Sequence, residues 1–146
     1  MSLSTPYDPT NIFAKIIKGE MPSVKVFEND DVLSFMDVFP QTTGHTLVIP
    51  KNAEAVNFFD IPPDALQSLI VHTQTIAKAV KTALNPDGIR IIQFNGDAAG
   101  QTVFHLHFHI LPVYRDTRLT PHASGKPVDT AELETTAELI RKKLHP

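Results

Sequence analysis

With 146 residues, 42% of them hydrophobic and 20% charged, the chain is long enough for one globular domain with its own core and short for two. A net charge of −3, with His neutral, excludes the broad basic face of a protein that binds a nucleic-acid polymer. The absence of cysteine excludes disulfide staples, thiolate zinc sites and cysteine nucleophiles, and fits a reducing compartment. No apolar run approaches the roughly 20 residues of a membrane span. Residues 1–10 lack the basic start and apolar stretch of a signal peptide, so the reading is a flexible N-terminal arm and a cytoplasmic address.

Ile12, Phe13, Ile16 and Ile17 form one helical stripe over residues 11–18, with Thr10 or Asn11 as cap and Gly19 as stop. Pro22 forces an extended chain into a short strand over 24–27, and Glu28 to Asp31 is a turn by composition. Residues 32–38 read as a second strand and 45–50 as a third, closed by Pro50. The segment 51–60 offers at most a loose helical turn. The clearest helix covers 63–84, where Leu66, Leu69, Ile70, Ile76, Ala77, Val80, Ala83 and Leu84 keep helical spacing. Residues 89–94 and 102–111 read as strands four and five. A proline-bearing loop then leads to a last helix from Asp129, with Leu133, Ala137, Ile140 and Leu144 on one stripe. The order predicts an α+β domain with helices on one face of a five-stranded, mainly antiparallel sheet.

The informative stretch is Gly100-Gln-Thr-Val-Phe-His105-Leu-His107-Phe-His109-Ile-Leu-Pro112. Side chains alternate along a strand, so His105, His107 and His109 share one face. Phe104, Leu106, Phe108 and Ile110 share the other, which must point into the core beneath helix 63–84. Packing gives no reason for three half-polar rings in a row, whereas imidazole suits nucleophilic and acid–base work near neutral pH. One metal ion cannot hold all three. Residues i and i+4 on a strand stand about 13 Å apart, against metal–nitrogen bonds of about 2.1 Å. The preceding turn, residues 95–102, carries two glycines whose backbone amides could approach an anion and cradle a phosphate. His72, His122 and His145 read as structural or solvated.

The chain resembles the histidine triad family, whose signature alternates three histidines with apolar residues, here His105 to Leu111. Further matches lie in Ile12 to Ile17, Phe35-Met-Asp37, Gly44 to Lys51, Asn95-Gly96 and Gly100 to Val103. The arrangement looks closest to the Hint-type branch of nucleoside phosphoramidases and purine-nucleotide binders. The resemblance implies a histidine triad domain over 11–112, followed by a C-terminal loop and helix over 113–146. It implies a homodimer with a continuous sheet, joined at the long helix and the 89–94 strand.

In that likeness His107 is the nucleophile, with its Nδ1 proton held by a backbone carbonyl, and attacks the α-phosphorus to give a nucleotidyl-histidine. His109 donates to a phosphate oxygen, His45 and His105 support, and Thr102 bonds near the leaving group. Asp37 takes the ribose hydroxyls. Ile12, Phe13, Ile16, Phe35 and Val38 wall the base, while Asn95, Gly100, Gln101 and Val103 complete the phosphate end.

The implied substrate is a purine nucleoside phosphoramidate of the AMP-NH2 or AMP-lysine kind. The rivals are a dinucleoside polyphosphate hydrolase of the Fhit type and a nucleotide-sensing dimer without catalysis. Many bacterial members hold zinc through a C-x-x-C pair, a histidine after the Ile-Pro-Lys run and the first triad histidine. Here Asn11, Ala14 and Ala53 stand at the first three positions, so no metal and no cofactor is expected. The tail beyond Leu111 is longer than in the compact Hint form.

Overall fold

The two faces of the central strands sort their side chains into two cores, and the site forms on one of them. The computed structural model describes residues 2–121 and 127–144, so His122 and His145 lie outside the described residues. Helix α1 (Ile12–Ile17) starts at Asn11, whose Oδ1 accepts the Ala14 N–H at 2.9 Å. Strands β1 (Lys25–Glu28) and β2 (Val32–Met36) form a hairpin about Asn29, whose Oδ1 accepts the Asp31 and Val32 amides. Strand β3 (Thr46–Pro50) returns beside β2.

Helix α2 (Pro63–Leu84) begins with proline in its first turn, where no amide partner is lost, and ends at Asn85 with φ 47°. Strand β4 (Gly88–Ile92), a 3-10 turn (Asp97–Ala99), β5 (Phe108–Val113) and α3 (Thr130–Leu144) follow. The strands lie in the order β1-β2-β3-β5-β4, every neighbouring pair antiparallel. The α+β class and five-stranded sheet match the expectation from sequence.

Register explains the two cores. Met36, Thr46 and Ile110 stand opposite one another across three strands, as do Phe35, Leu47 and His109. The first row belongs to the larger core, where Met36, Val48, Phe108 and Ile110 meet Leu69, Ile76 and Val80 of α2 and Leu133, Ala137 and Ile140 of α3. The second row faces the other way and packs with Phe13 and Ile16 of α1, Leu33 and Ile49. Helix α1 therefore covers the face opposite α2 and α3, contrary to the expectation of helices on one face only. Its six residues bury Phe13, Ala14 and Ile16, too short a stripe to betray which face it would choose.

Two further expectations shift. Ile70 is 43% exposed, because the buried stripe of α2 runs through Ala65, Leu69, Thr73, Ile76 and Val80. Thr73 takes a stripe position by donating its hydroxyl to the Leu69 carbonyl at 2.7 Å. Strand β5 starts at Phe108, not at residue 102. Continued past Phe108, the ladder would reach Pro50, which has no N–H to give. The Leu106 amide bonds instead to the Ala55 carbonyl at 2.8 Å. Among the described residues, no helix is long and apolar enough to cross a membrane.

Candidate active site

The face carrying Phe35, Leu47 and His109 opens into a cleft of about 360 Å³. Ile12, Phe13 and Ile16 of α1 form one wall, and Phe35, Asp37, Val38 and Phe39 another. Thr102, Val103, His107 and His109 close the end. A mostly apolar recess with a few convergent polar groups is what a planar aromatic ligand with a charged tail needs. Met21, Pro22, Ser23, Phe39 and Leu47 also line it and were not singled out from sequence. For Leu47 the signal was present, two residues from His45 on an alternating strand.

Alternation survives where the strand does not. Leu106, Phe108 and Ile110 enter the large core, and His105, His107 and His109 point away from it. The three rings are nevertheless buried, at 1%, 6% and 2% exposure, although they stand on the face away from the large core. The cover comes from Phe13, edge-on to His107 at 5.0 Å between centroids, and from Phe94, 5.4 Å from His109.

A neutral imidazole carries one proton, and its partners say where. His107 Nδ1 lies 2.7 Å from the His105 carbonyl oxygen, which can only accept, so Nδ1 holds the proton and Nε2 keeps its lone pair. The Gln41 N–H donates to His45 Nδ1 at 3.1 Å, which puts the His45 proton on Nε2. That proton is given to His109 Nδ1 at 2.9 Å, leaving His109 with its own proton on Nε2. The cleft thus offers one nucleophilic nitrogen and one donor on rings whose centroids are 4.9 Å apart.

His105 Nε2 donates to the Pro50 carbonyl at 3.0 Å, and its Nδ1 accepts the Tyr7 hydroxyl at 2.7 Å. Burial lowers its pKa to about 4, against a smaller raising effect of the Pro50 bond. Tyr7 lies in the arm expected to be mobile. That arm is tied down by this bond and by Asn57 Nδ2, which donates to the Leu3 carbonyl at 3.0 Å.

Asp37 reaches the cleft with Oδ1 accepting the Phe39 amide at 2.8 Å and Oδ2 3.6 Å from His45 Nε2. The 95–102 turn departs from the expected phosphate cradle. The Gly96, Ala99, Gly100 and Gln101 amides all bond within the turn, to Gln101 Oε1 and to the Gly96 and Asp97 carbonyls. The Gln101 Nε2 group donates to the Val56 and Val103 carbonyls, and Asn95 Oδ1 accepts the Phe58 amide. Asn95, Gly100 and Gln101 therefore shape the loop, and the chain meets the cleft at Thr102 and Val103. His72 is structural. Its Nδ1 donates to the Ser68 carbonyl, and its Nε2 accepts Asn29 Nδ2.

A HIT domain model matches residues 18–116, the span that holds β1 to β5 and all three triad histidines. The chain belongs to the histidine triad, or HIT, family. A crystal structure of a HIT-like protein from Bartonella henselae, involved in cell-cycle regulation and bearing an unknown ligand, is 47% identical with TM-score 0.88. It covers 95% of this chain and is itself 99% covered. A hypothetical histidine triad nucleotide-binding protein from Sulfolobus tokodaii is 30% identical with TM-score 0.82, 90% of each chain covered. A zinc-bound HIT protein from Mycobacterium smegmatis is 34% identical with TM-score 0.79, with 92% of this chain and 93% of that chain covered.

The zinc ligand set found in many bacterial HIT proteins does not fit here. Asn11 caps α1, Ala14 and Ala53 carry no donor, and both His105 nitrogens are spent on Tyr7 and Pro50. Among the described residues, Asp37, His45 and His109 place three potential ligand atoms within 4.8 Å. A metal there would need the His45 Nε2 lone pair, which the Gln41 amide denies by holding the proton on that nitrogen.

Because His105 stays neutral when folded, its pKa lies below the ordinary 6.5. Its contribution to stability is complete above about pH 6.5 and is lost as pH falls towards 4, by about 3 kcal/mol in all. Urea denaturation at pH 7.5, 5.5 and 4.5 should show that loss, and His105→Asn should remove most of the slope. An equal slope in the variant would assign it to other groups.

Proposed function

We propose that this HIT protein hydrolyses purine nucleoside phosphoramidates through a nucleotidyl-histidine formed on His107. The observation that carries the reading is the His107 Nδ1–H bond to the His105 carbonyl, which leaves an imidazole lone pair at the end of an apolar cleft. The nucleotide-binding description of the Sulfolobus tokodaii relative supports the ligand class.

In the first step the His107 Nε2 pair forms a bond to the α-phosphorus and the bond to the leaving amine breaks, the amine taking a proton from solvent at the cleft mouth, which the water consumed in the second step returns. Thr102, exposed at the cleft mouth, stands where a hydroxyl could assist that departure. Water then forms a bond to phosphorus, displaces His107 and yields the nucleoside monophosphate. Splitting one hard displacement into two easier ones is the gain from the covalent route. His109 Nε2–H stabilises the charge that grows on a non-bridging oxygen in both steps. The base lies between α1 and Phe35, and the Asp37 carboxylate accepts the ribose hydroxyls.

Quenching the wild-type protein during turnover of a slow adenosine phosphoramidate should trap one AMP, acid-labile, on the peptide containing His107. His107→Ala should lose both adduct and turnover. With the ring only 6% exposed and packed on Phe13, the variant should also lose about 1–3 kcal/mol of stability. Normal turnover by the variant, or an adduct elsewhere, would sink the mechanism. Running diadenosine polyphosphates beside the phosphoramidate ranks the two leaving groups.

Asp37→Asn keeps an acceptor for the Phe39 amide but loses the charge. Ribose contacts are made equally in ground and transition states, so KM should rise by the equivalent of about 1.5–3 kcal/mol, while any fall in kcat reports the carboxylate's second contact, with His45. A KM unchanged for both ribose and deoxyribose substrates would remove Asp37 from the ribose site.

The same reading includes a homodimer joined at β4 and α2. Strand β4 is a sheet edge with Ile91 47% exposed, and Ile70 and Val71 stand exposed on α2. Sedimentation at micromolar concentration should give a dimer, and Ile91→Asp should shift it towards monomer. A wild-type monomer would overturn the pairing.

A further inference from the structure

We propose that the chain beyond β5 is a brace on the active site, and that Thr120 and Gln41 are positioning residues through which it fixes the proton of His109. The proposal rests on the reading of His109 as the phosphate donor. The turn between β2 and β3, residues 37–45, carries Asp37, Val38 and Phe39 into the cleft and ends at His45. Its outer side is bonded to the C-terminal part of the chain at successive points. The Val38 carbonyl accepts the Val128 amide at 2.9 Å, and the Gln41 carbonyl accepts the Thr120 amide at 2.8 Å. Gln41 Nε2 donates to the Thr120 carbonyl at 3.0 Å, so residues 41 and 120 grip each other from both ends. The Tyr114 hydroxyl donates to the Thr43 carbonyl at 3.0 Å, and between them the Thr42 hydroxyl ties the turn to β5 itself, donating to the Pro112 carbonyl at 2.6 Å.

Gln41 is also the residue whose N–H reaches His45 Nδ1. That bond chooses between two arrangements of the same pair of rings. With it, His45 holds its proton on Nε2, His109 Nδ1 accepts, and His109 Nε2 is a donor facing the cleft. Without it, His45 can hold the proton on Nδ1, and the hydrogen bond between the rings reverses. His109 would then give its Nδ1 proton to His45 and turn a bare Nε2 lone pair towards a phosphate oxygen. The ring pair keeps one hydrogen bond either way, so it does not choose for itself. The Gln41 amide decides, aided by the Asp37 carboxylate 3.6 Å from His45 Nε2. A wrong tautomer in the cleft would meet an anion with repulsion where the other meets it with a donor.

The test uses the full-length protein with Gln41→Ala, which removes the side-chain half of the grip, and Thr120→Pro, which removes the backbone donor. Long-range nitrogen–proton NMR spectra of ligand-free, histidine-labelled protein read each ring's tautomer directly. The wild type should show unprotonated Nδ1 on both His45 and His109. The variants should show about nine-tenths of the molecules with both positions reversed, and kcat on adenosine phosphoramidate lower by about tenfold, with KM moving less. Should Thr120→Pro fail to fold, Gln41→Ala decides.

Wild-type tautomers in a folded variant would overturn the proposal, even if kcat fell, since a loop that merely shapes the cleft would do that. A wild type with Nδ1–H on His109 would overturn it at once. If the wild type proves inactive on phosphoramidates, the proposed activity fails, while the spectra, which need no substrate, still decide the brace.

Discussion

The His105 carbonyl takes the Nδ1 proton of His107, the Pro50 carbonyl takes the Nε2 proton of His105, and the Gln41 amide occupies Nδ1 of His45. In each case a main-chain group, whose polarity does not depend on the side chain at that position, fixes which nitrogen of an imidazole is acid and which is base. The chemistry of the cleft follows from where the backbone runs. A side-chain partner would add its own rotamers and its own titration, whereas a backbone group held by a sheet and a braced turn adds neither.

This arrangement needs neutral rings, and for His105 burial supplies that condition. Charging a ring in a site with so little water costs far more than leaving it neutral, which is why the His105 pKa falls to about 4. A neutral ring still has two polar atoms to satisfy, and an orphaned buried one costs about 1–3 kcal/mol. His105 has a partner at each nitrogen, Tyr7 and Pro50. Its role is to stand still, so that its own carbonyl can hold His107. The N-terminal arm is therefore part of the site through Tyr7, although it contributes nothing to the cleft wall.

The periodic features were legible in the sequence. The bounds of α2 and the alternation of His105 to Ile110 follow from residue types at fixed spacing, whereas Ile12, Phe13, Ile16, Phe35 and Asp37, which line the cleft, were pointed to only by the family resemblance. What could not be read is where backbone groups go. The glycines of the 95–102 turn allowed an open cradle as well as a closed turn, and only folding shows the amides bonding inward. The start of β5 depends on what lies across from it at Pro50, some 60 positions earlier in the chain. Tyr7 and Gln41 are invisible for the same reason. One acts across 98 residues of sequence, and the other acts through an amide that nearly any residue would provide.

The two cores also divide what substitution can do. Residues of the α2 and α3 face touch no part of the cleft except Met36, so repacking there changes stability with little effect on the ligand. On the opposite face Phe13, Ile16, Phe35 and Leu47 are at once core and cleft wall, each no more than 8% exposed. Reshaping the cleft through them would cost packing energy in the same step, about 2–5 kcal/mol for a large aliphatic side chain cut to alanine. Ile12 and Val38 are different, lining the cleft at 44% and 40% exposure with little of the core resting on them. A change of cleft shape that leaves the fold intact has its freest routes at those two positions, one on α1 and one on the turn bonded to the C-terminal chain.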